Sequence, residues 1–573
     1  MSGRAAPPLP TRWAAVLAVV AGLVGAAAFP RMGIWPAAGV SVALFSVAVD
    51  GRPVRTGAWL GYIYGWAFFG PLLTWTGTFV GPVWLLLPFA EAGAFALLGA
   101  GLPALQRLPG AALWVASAWV AEEALRDRFP FGGFPWGRWA FSQANSPLRW
   151  FAALGGAPLV TFAVALAGAL LATAVLQGTA VLQGTAVLQG TAARRDAPPS
   201  ARSGASIDAA ASSARGWAVV AVATAAAALV PVLGWAVQSP LRAGPPPRTE
   251  VIALVQGNVP DRGLEFNARR RQVLDNHVQQ TLALADSVRA GRVPAPRLVL
   301  WPENASDIDP LDNADARAQI EKAVRAVGVP ILVGAILDGP GENHIRNVGI
   351  LWSPTTGPGS QYVKRHPVPF GEYLPLRPIA TAITAKAALI ARDMASGSGN
   401  GVVSGGPMPV GDVICFEVAY DGLVRSSVAA GAQLLAVQTN NATFGHSAET
   451  YQQLAMTKLR AVEHGRTIVQ VATSGTSAIV GPDGRVVAAS DALFTPAVIV
   501  RSVGLYTALT PATRAGAWPE WALTAVALAA LAVAVGSGRS LRRRPPPSSA
   551  VLAEEAQPID IGTDAGTKEM VQA

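Results

Sequence analysis

Long apolar runs occupy both ends of this 573-residue chain, and they restrict its fold before any motif is read. A helix needs roughly 20 mostly apolar residues to cross the hydrocarbon core of a bilayer. Eight candidate spans fall near residues 13–29, 34–49, 57–77, 82–105, 110–125, 151–176, 216–238 and 518–536. The second and fifth are short enough to be tilted, extended or partly re-entrant. Charged residues make up only 14% of the chain, against roughly 25% in soluble domains, so a wholly soluble protein is excluded. The first run resembles a secretion signal, with Arg4 and Arg12 ahead of it and alanines behind. Another apolar run follows at once, so it reads as an uncleaved first span.

Arginine placement sets the expected orientation. With the N-terminus inside, the inner segments hold Arg4 and Arg12, Arg52 and Arg55, Arg107, Arg194 to Arg215, and the Arg539–Arg544 cluster. Segment 126–149 breaks the pattern by placing Arg126, Arg128, Arg138 and Arg149 outside. Glu91, Glu122 and Glu123 lie in or beside apolar spans, where acids are costly, and could sit at span ends or bind neighbouring helices. The net charge of +9 lies largely in short segments beside apolar runs. It is explained by membrane orientation and calls for no nucleic acid.

Four segments follow. Residues 1–238 read as a membrane domain of seven spans. Within it lie a Thr-Ala-Val-Leu-Gln-Gly repeat at 173–192 and an Ala/Ser/Arg/Pro-rich linker to 214 that is expected to be disordered. Residues 239–515 form a separate extracytoplasmic block, 516–537 the last span, and 538–573 a basic and then disordered cytoplasmic tail. The block is about 275 residues, enough to bury its own core. Strand-like runs recur at Val251–Gln256, Leu298–Trp301, Pro330–Leu337, Asp412–Phe416, Leu434–Gln438 and Thr467–Ala472. Helix-like stretches at Ala268–Ala290, Ala314–Ala326 and Glu449–Glu463 separate them. That alternation predicts an α/β layered domain.

The chain's one cysteine, Cys415, ends the run Gly411-Asp412-Val413-Ile414. Glu303 follows Leu300-Trp301-Pro302, and Lys364 follows Tyr362-Val363. A proton acceptor, a cation and a thiol, each beside a short apolar run, are the parts of a reactive thiolate used for acyl transfer. One cysteine rules out an internal disulfide or a cysteine-rich metal centre. His277, His344, His366, His446 and His464 show no metal-ligand spacing, so no metal and no cofactor is expected.

Glu303, Lys364 and Cys415, in this order and with these neighbours, resemble the nitrilase (carbon–nitrogen hydrolase) superfamily. Within it they resemble the apolipoprotein N-acyltransferase branch, as do Pro369-Phe370-Gly371-Glu372-Tyr373, and Phe134-Pro135-Trp136 with Ser142-Gln143 near the fifth span. Pro367 departs from the branch, which usually has an aliphatic residue there, and Phe444 stands where tryptophan is common. The resemblance implies an α-helical membrane domain of about eight spans carrying an αββα sandwich. It implies a Glu303–Lys364–Cys415 triad, with Glu372 as a second active-site carboxylate that orients Lys364 or takes the incoming amine's proton. The Phe416 N–H would be a second oxyanion donor, and Asn347 a polar neighbour of the site. Glu417 would either hold a nearby loop or pair with Lys364. Phe134 and Trp136 would either guide lipid access or form an interfacial aromatic belt.

The activity so implied is transfer of a fatty acyl chain from a phospholipid, through a Cys415 thioester, to the α-amine of a diacylglyceryl-cysteine apolipoprotein in the bacterial cytoplasmic membrane. Some such enzymes work beside a polyprenol-phosphate mannosyltransferase, which here would be a separate protein. Two alternatives remain at this stage. A membrane-anchored amidase keeps the triad but needs one anchor rather than eight spans. A transporter with an extracytoplasmic domain predicts inverted repeats and intramembrane charge pairs, and neither is evident in the sequence.

Overall fold

The computed structural model describes residues 8–192, 199–259, 270–383 and 390–543. Its N-terminal part is a helical bundle: α1 (Thr11–Ala27), α2 (Ala37–Val49), α3 (Val54–Leu72), α4 (Leu86–Leu105), α5 (Ala111–Arg126), α6 (Phe151–Ala192) and α7 (Pro199–Ala236). Among the described residues, Val83–Leu105, Pro147–Thr185, Ala211–Leu241 and Trp518–Ser537 are long and apolar enough to cross a membrane, while α1 and α2 are apolar but shorter. Gly57, Gly61 and Gly65 recur every fourth residue along α3 and let α4 approach closely. A Cβ at Gly61 would stand 2.0 Å from the Phe95 carbonyl oxygen, and one at Gly57 2.2 Å from that of Gly99. Backbone contact of this kind is how helices associate where apolar burial cannot discriminate protein from lipid.

The repeat at 173–192 forms the C-terminal part of α6, near whose start Gly155 and Gly156 break the helical geometry. The expected disorder of 193–214 is corrected in part. Helix α7 reaches back to Pro199, because an alanine-rich stretch costs little to add to a helix already nucleated downstream. Residues 193–198 and the tail from 544 lie outside the described residues.

The arginines of segment 126–149 have internal partners. Arg126 Nε lies 3.1 Å from Glu122 and 3.8 Å from Glu91. Arg138 reaches Glu123 at 3.3 Å, Asp127 at 3.1 Å and Asp421 at 2.8 Å. Arg128 Nη1 donates to Glu520 Oε1 at 3.1 Å. The acids that looked costly in the sequence are therefore ion-paired within the bundle or across its edge.

The block from 248 to 505 is a two-sheet sandwich. The first sheet runs in the order β13 (Ala497–Leu505), β1 (Arg248–Gln256), β2 (Leu298–Leu300), β3 (Ile331–Asp338), β4 (His344–Ser353) and β5 (Gly357–Val363), with β6 (Asp393–Met394) beside β4. The second runs β12 (Val486–Ala489), β11 (Ala478–Val480), β10 (Ile468–Ala472), β9 (Leu434–Thr439), β8 (Val410–Ile414) and β7 (Val402–Val403). The period-two alternation of strands sorts their side chains into layers. Ile252, Leu254, Leu300, Leu332, Leu434, Ala436, Val469 and Val471 meet between the sheets. Ala253, Val255 and Val333 turn outward onto helices α8 (Arg270–Arg289) and α9 (Ala314–Val327). On the other side Val413, Leu435 and Val437 face α10 (Asp421–Ala429) and α11 (Glu449–His464). This is the expected αββα arrangement.

The second helix layer is not solvated. Val424, Val428, Met456, Leu459 and Phe416 share one continuous buried cluster with residues of the bundle such as Phe68, Trp136 and Trp139. A last helix, α12 (Trp518–Arg543), returns to pack on α5 and α4.

Candidate active site

Strand β8 delivers Ile414, and the chain then turns at Cys415, whose φ is +55°. A non-glycine residue in that region is uncommon and strained, and such conformations cluster at functional sites. A short 3-10 turn, Cys415–Ala419, follows; Cys415 as a whole residue is half-buried, while its thiol is enclosed. Glu303 leaves β2 through Trp301-Pro302 and is buried. Its Oε1 accepts from Asn347 Nδ2 at 2.7 Å and from Lys364 Nζ at 3.0 Å, and its Oε2 accepts from the Asn440 N–H at 2.9 Å. Lys364 and Asn347 come together through sheet register. Val348 pairs with Val363 across β4 and β5, and the next residue's N–H, that of Lys364, donates to the Asn347 carbonyl at 2.9 Å. Lys364 Nζ also donates to Glu372 Oε1 at 2.6 Å, while Glu372 Oε2 accepts from the Val368 N–H.

The sequence-predicted residues thus divide into two groups. Glu303, Lys364, Glu372 and Asn347 form one hydrogen-bonded cluster. Glu417 belongs elsewhere: its carboxylate accepts from the N–H groups of Ile414, Arg365 and His366 and from the Tyr362 hydroxyl. These bonds tie the segment around Lys364 to the turn at Cys415. His366 stacks on Tyr420 with ring centroids 4.3 Å apart.

Burial dominates the electrostatics. It raises the Cys415 thiol well above its usual range, reinforced by the Glu303 charge and opposed by Lys364. Burial also works against the Lys364 ammonium, but Glu303 and Glu372 outweigh it and hold the lysine firmly protonated. The resting thiol is therefore held in its neutral form.

Phe134 is half-buried and stacks on Phe416 at 5.6 Å, and Trp136 stacks on Phe416 at 6.0 Å. Trp136 is 2% exposed, and its indole N–H donates to Gln452 Oε1 at 2.7 Å. It is an inner wall between bundle and nucleophile, which does not fit an interfacial belt. Phe129, Phe131, Phe370 and Leu376 are exposed, with Phe131 and Phe370 in edge contact at 5.8 Å.

Asp412, three residues before Cys415, gave no sequence signal. It lies between the sheets, where a Cβ on Gly349 would stand 1.9 Å from Asp412 Oδ2 and 2.7 Å from Gln438 Oε1. Both Asp412 oxygens and Gln438 Oε1 lack a hydrogen-bond partner of good geometry among the described residues. Gln438 Nε2 meanwhile donates to the Trp301 carbonyl at 2.6 Å. Burial holds the Asp412 carboxyl far above the usual range, which favours the neutral acid among these unpartnered acceptors. A fold that binds this proton loses stability as pH rises from the unfolded value near 3.8 towards the raised folded value. Asp412→Asn supplies an N–H donor without the proton. It is expected to raise the melting temperature at pH 8 more than at pH 5, read by thermal denaturation of the detergent-solubilised protein.

A base, a cation and a thiol at the ends of sandwich strands define a carbon–nitrogen hydrolase domain, and residues 251–507 match that family. Residues 21–170 match the apolipoprotein N-acyltransferase N-terminal domain. The chain belongs to the apolipoprotein N-acyltransferase family and is an N-acyltransferase. It is 42% identical over 540 residues to the apolipoprotein N-acyltransferase of Mycolicibacterium smegmatis, covering 92% of this chain and 87% of that one. It is 29% identical to that of Azotobacter vinelandii, covering 95% and 98%. It is also similar to the crystal structure of an amidase from Nesterenkonia sp., at 21% identity and a TM-score of 0.34, covering 46% of this chain and 93% of that chain. With its long apolar helices, the chain is a bacterial membrane protein.

Proposed function

We propose that the enzyme moves a fatty acyl chain from a phospholipid to the N-terminal α-amine of a diacylglyceryl-cysteine apolipoprotein, through a thioester on Cys415. The observation that carries this reading is a cysteine held on a strained turn, whose next residue, Phe416, stacks on the aromatic wall of a membrane bundle, with a hydrogen-bonded Glu303–Lys364 pair close enough to shift the thiol's ionisation.

In the first half-reaction Cys415 Sγ attacks the ester carbonyl while its proton passes to Glu303. The C–O bond breaks, and the lysophospholipid oxygen leaves with that proton. In the second, the α-amine attacks the thioester and an amide C–N bond forms. The C–S bond breaks, and the amine's proton goes to Glu303 or Glu372. Lys364 and the Phe416 N–H would stabilise the oxyanion in both halves. Asn347 and Glu372 would hold Glu303 and Lys364 in register. Phe134 and Trp136 would line the acyl chain's approach, with Phe129, Phe131, Phe370 and Leu376 as its exposed rim. Excluding water would favour aminolysis over hydrolysis.

The proposed topology has eight spans with both termini cytoplasmic and the sandwich outside. Three of the four arginines that broke the orientation rule support it, because Arg126, Arg128 and Arg138 are neutralised by internal acids.

The test is intact-mass analysis of purified protein incubated with phospholipid. A fatty-acyl mass gain on Cys415, discharged by a diacylated lipopeptide and absent in Cys415→Ala, is the expected result. No adduct, together with turnover of small amides, would sink the proposal in favour of a hydrolytic amidase.

A further inference from the structure

The triad leaves one demand of the chemistry unmet. Negative charge appears on Cys415 Sγ when the thiol is deprotonated, and again when the thioester carbon expels it. Both times this happens in a site whose burial opposes charge. Two side chains outside the triad aim donors at that atom. Thr439 Oγ1 lies 3.3 Å from Sγ and Gln453 Nε2 lies 3.6 Å from it. Sheet register brings Thr439 there. Ile414 pairs with Gln438 across the parallel strands β8 and β9, so the residues that leave their C-terminal ends, Cys415 and Thr439, emerge side by side.

The surrounding bonds allow the Thr439 hydroxyl to serve two states. It also lies 2.9 Å from Gln453 Oε1, and with one hydrogen it can donate to that oxygen or to the sulfur, not both. Turning toward sulfur leaves no acceptor unpaired, because Asn441 Nδ2 donates to the same Gln453 Oε1 at 3.0 Å. Asn441 is held in turn by Glu449 Oε2 at 2.8 Å. The charged or titratable groups acting on the sulfur are Glu303 from the end of β2, Lys364 from the end of β5 and Glu449 from α11. Burial raises Glu449 to about 8, so near neutral pH it adds no second negative charge.

We propose that Thr439 and Gln453 are catalytic residues that donate hydrogen bonds to the Cys415 thiolate as it forms and as it leaves, with Asn441 and Glu449 as the positioning residues behind them. This deepens the acyl-transfer reading and rests on Cys415 being the reacting atom.

Because the chain has a single cysteine, alkylation of the full-length protein by iodoacetamide reports one thiol. The rate of mass gain, followed from pH 6 to 9.5, measures access to its thiolate. A neutral donor to an ionised group shifts it by about one pKa unit. Thr439→Val is therefore expected to displace the rate–pH curve upward by about one unit, a roughly tenfold slower reaction at each pH on its rising limb. Thr439→Ser, which keeps the hydroxyl, restores the wild-type curve, and Gln453→Leu moves it in the same direction as Thr439→Val. Superimposable curves for Thr439→Val and wild type overturn the proposal. So does equal slowing in Thr439→Val and Thr439→Ser, which would mark a packing defect. The assay needs no acyl substrate, so its failure leaves the acyl-transfer reading standing. Failure of acyl-enzyme formation in the wild type would likewise not alter the alkylation result.

Discussion

Glu303→Gln is expected to slow acylation of Cys415 by roughly 10²- to 10⁴-fold, the usual contribution of a positioned general base. The substitution keeps the size of the side chain and an acceptor for Asn347 and Lys364, so the cluster loses little packing. What it removes is the carboxylate proposed to take the thiol proton. Because burial holds the thiol neutral at rest, no standing thiolate population can bypass that step. The oxygen that accepts from the Asn440 N–H would also become an amide N–H in one of the two orientations, setting donor against donor. Quenched-flow mass analysis of the acyl-enzyme separates this step from the later aminolysis. A wild-type rate of acyl-enzyme formation in Glu303→Gln would remove Glu303 from the mechanism.

Asp421→Ala should destabilise the junction of bundle and sandwich by about 2 kcal/mol, below the range for breaking a fully buried ion pair because Asp421 is itself 30% exposed. Asp421 opens α10 and accepts from Arg138 of the bundle at 2.8 Å and from Arg460 of α11 at 2.6 Å, both guanidiniums being buried. Its loss strands neither arginine completely, since Arg138 retains Glu123 and Asp127 and Arg460 retains Glu463. That, too, keeps the cost low. Although burial acts to raise it, Asp421 is depressed below its usual range by Arg138 and Arg460. Its contribution is therefore present above the unfolded value near 3.8 and is lost as pH falls below it. The wild-type melting temperature should fall more steeply than that of Asp421→Ala on acidification below pH 4. Arg460 also donates to the carbonyls of Val418 and Ala419 in the nucleophile's turn, so the variant should slow acylation as well as melt earlier.

Much of the sandwich was legible because its central strands are continuous apolar runs, as strands covered on both faces must be. The helices α8, α9 and α11 were legible from their flanking polarity and length. The strands that escaped notice lie toward the margins of the sheets. Gly357–Val363 is rich in glycine and polar residues and carries no period-two pattern. Val402–Val403 and Asp393–Met394 are two residues each.

The candidate triad was legible because each member directly follows a strand or its turn. Thr439 ends an apolar run that reads only as a strand, and its importance depends on which strand lies beside which, which a linear sequence does not state. Gln453 sits in the first turns of an amphipathic helix, where polarity normally marks the solvent side. Glu417 could not be assigned from sequence, because the four donors that occupy it come from segments some fifty residues apart.

The polar bridge from Trp136 to Gln452 has a practical meaning for anyone wishing to work without detergent. Gln452 binds the bundle's indole, its immediate neighbour Gln453 reaches the nucleophile, and the same helix turns Met456 and Leu459 into an interior shared with the bundle. Cutting the chain at 239 and 515 would not release a water-soluble hydrolase from an inert anchor. It would open a cross-section through a single hydrophobic interior and leave the thiol on the newly wetted side. The membrane part of this protein is best regarded as the fourth wall of its active site.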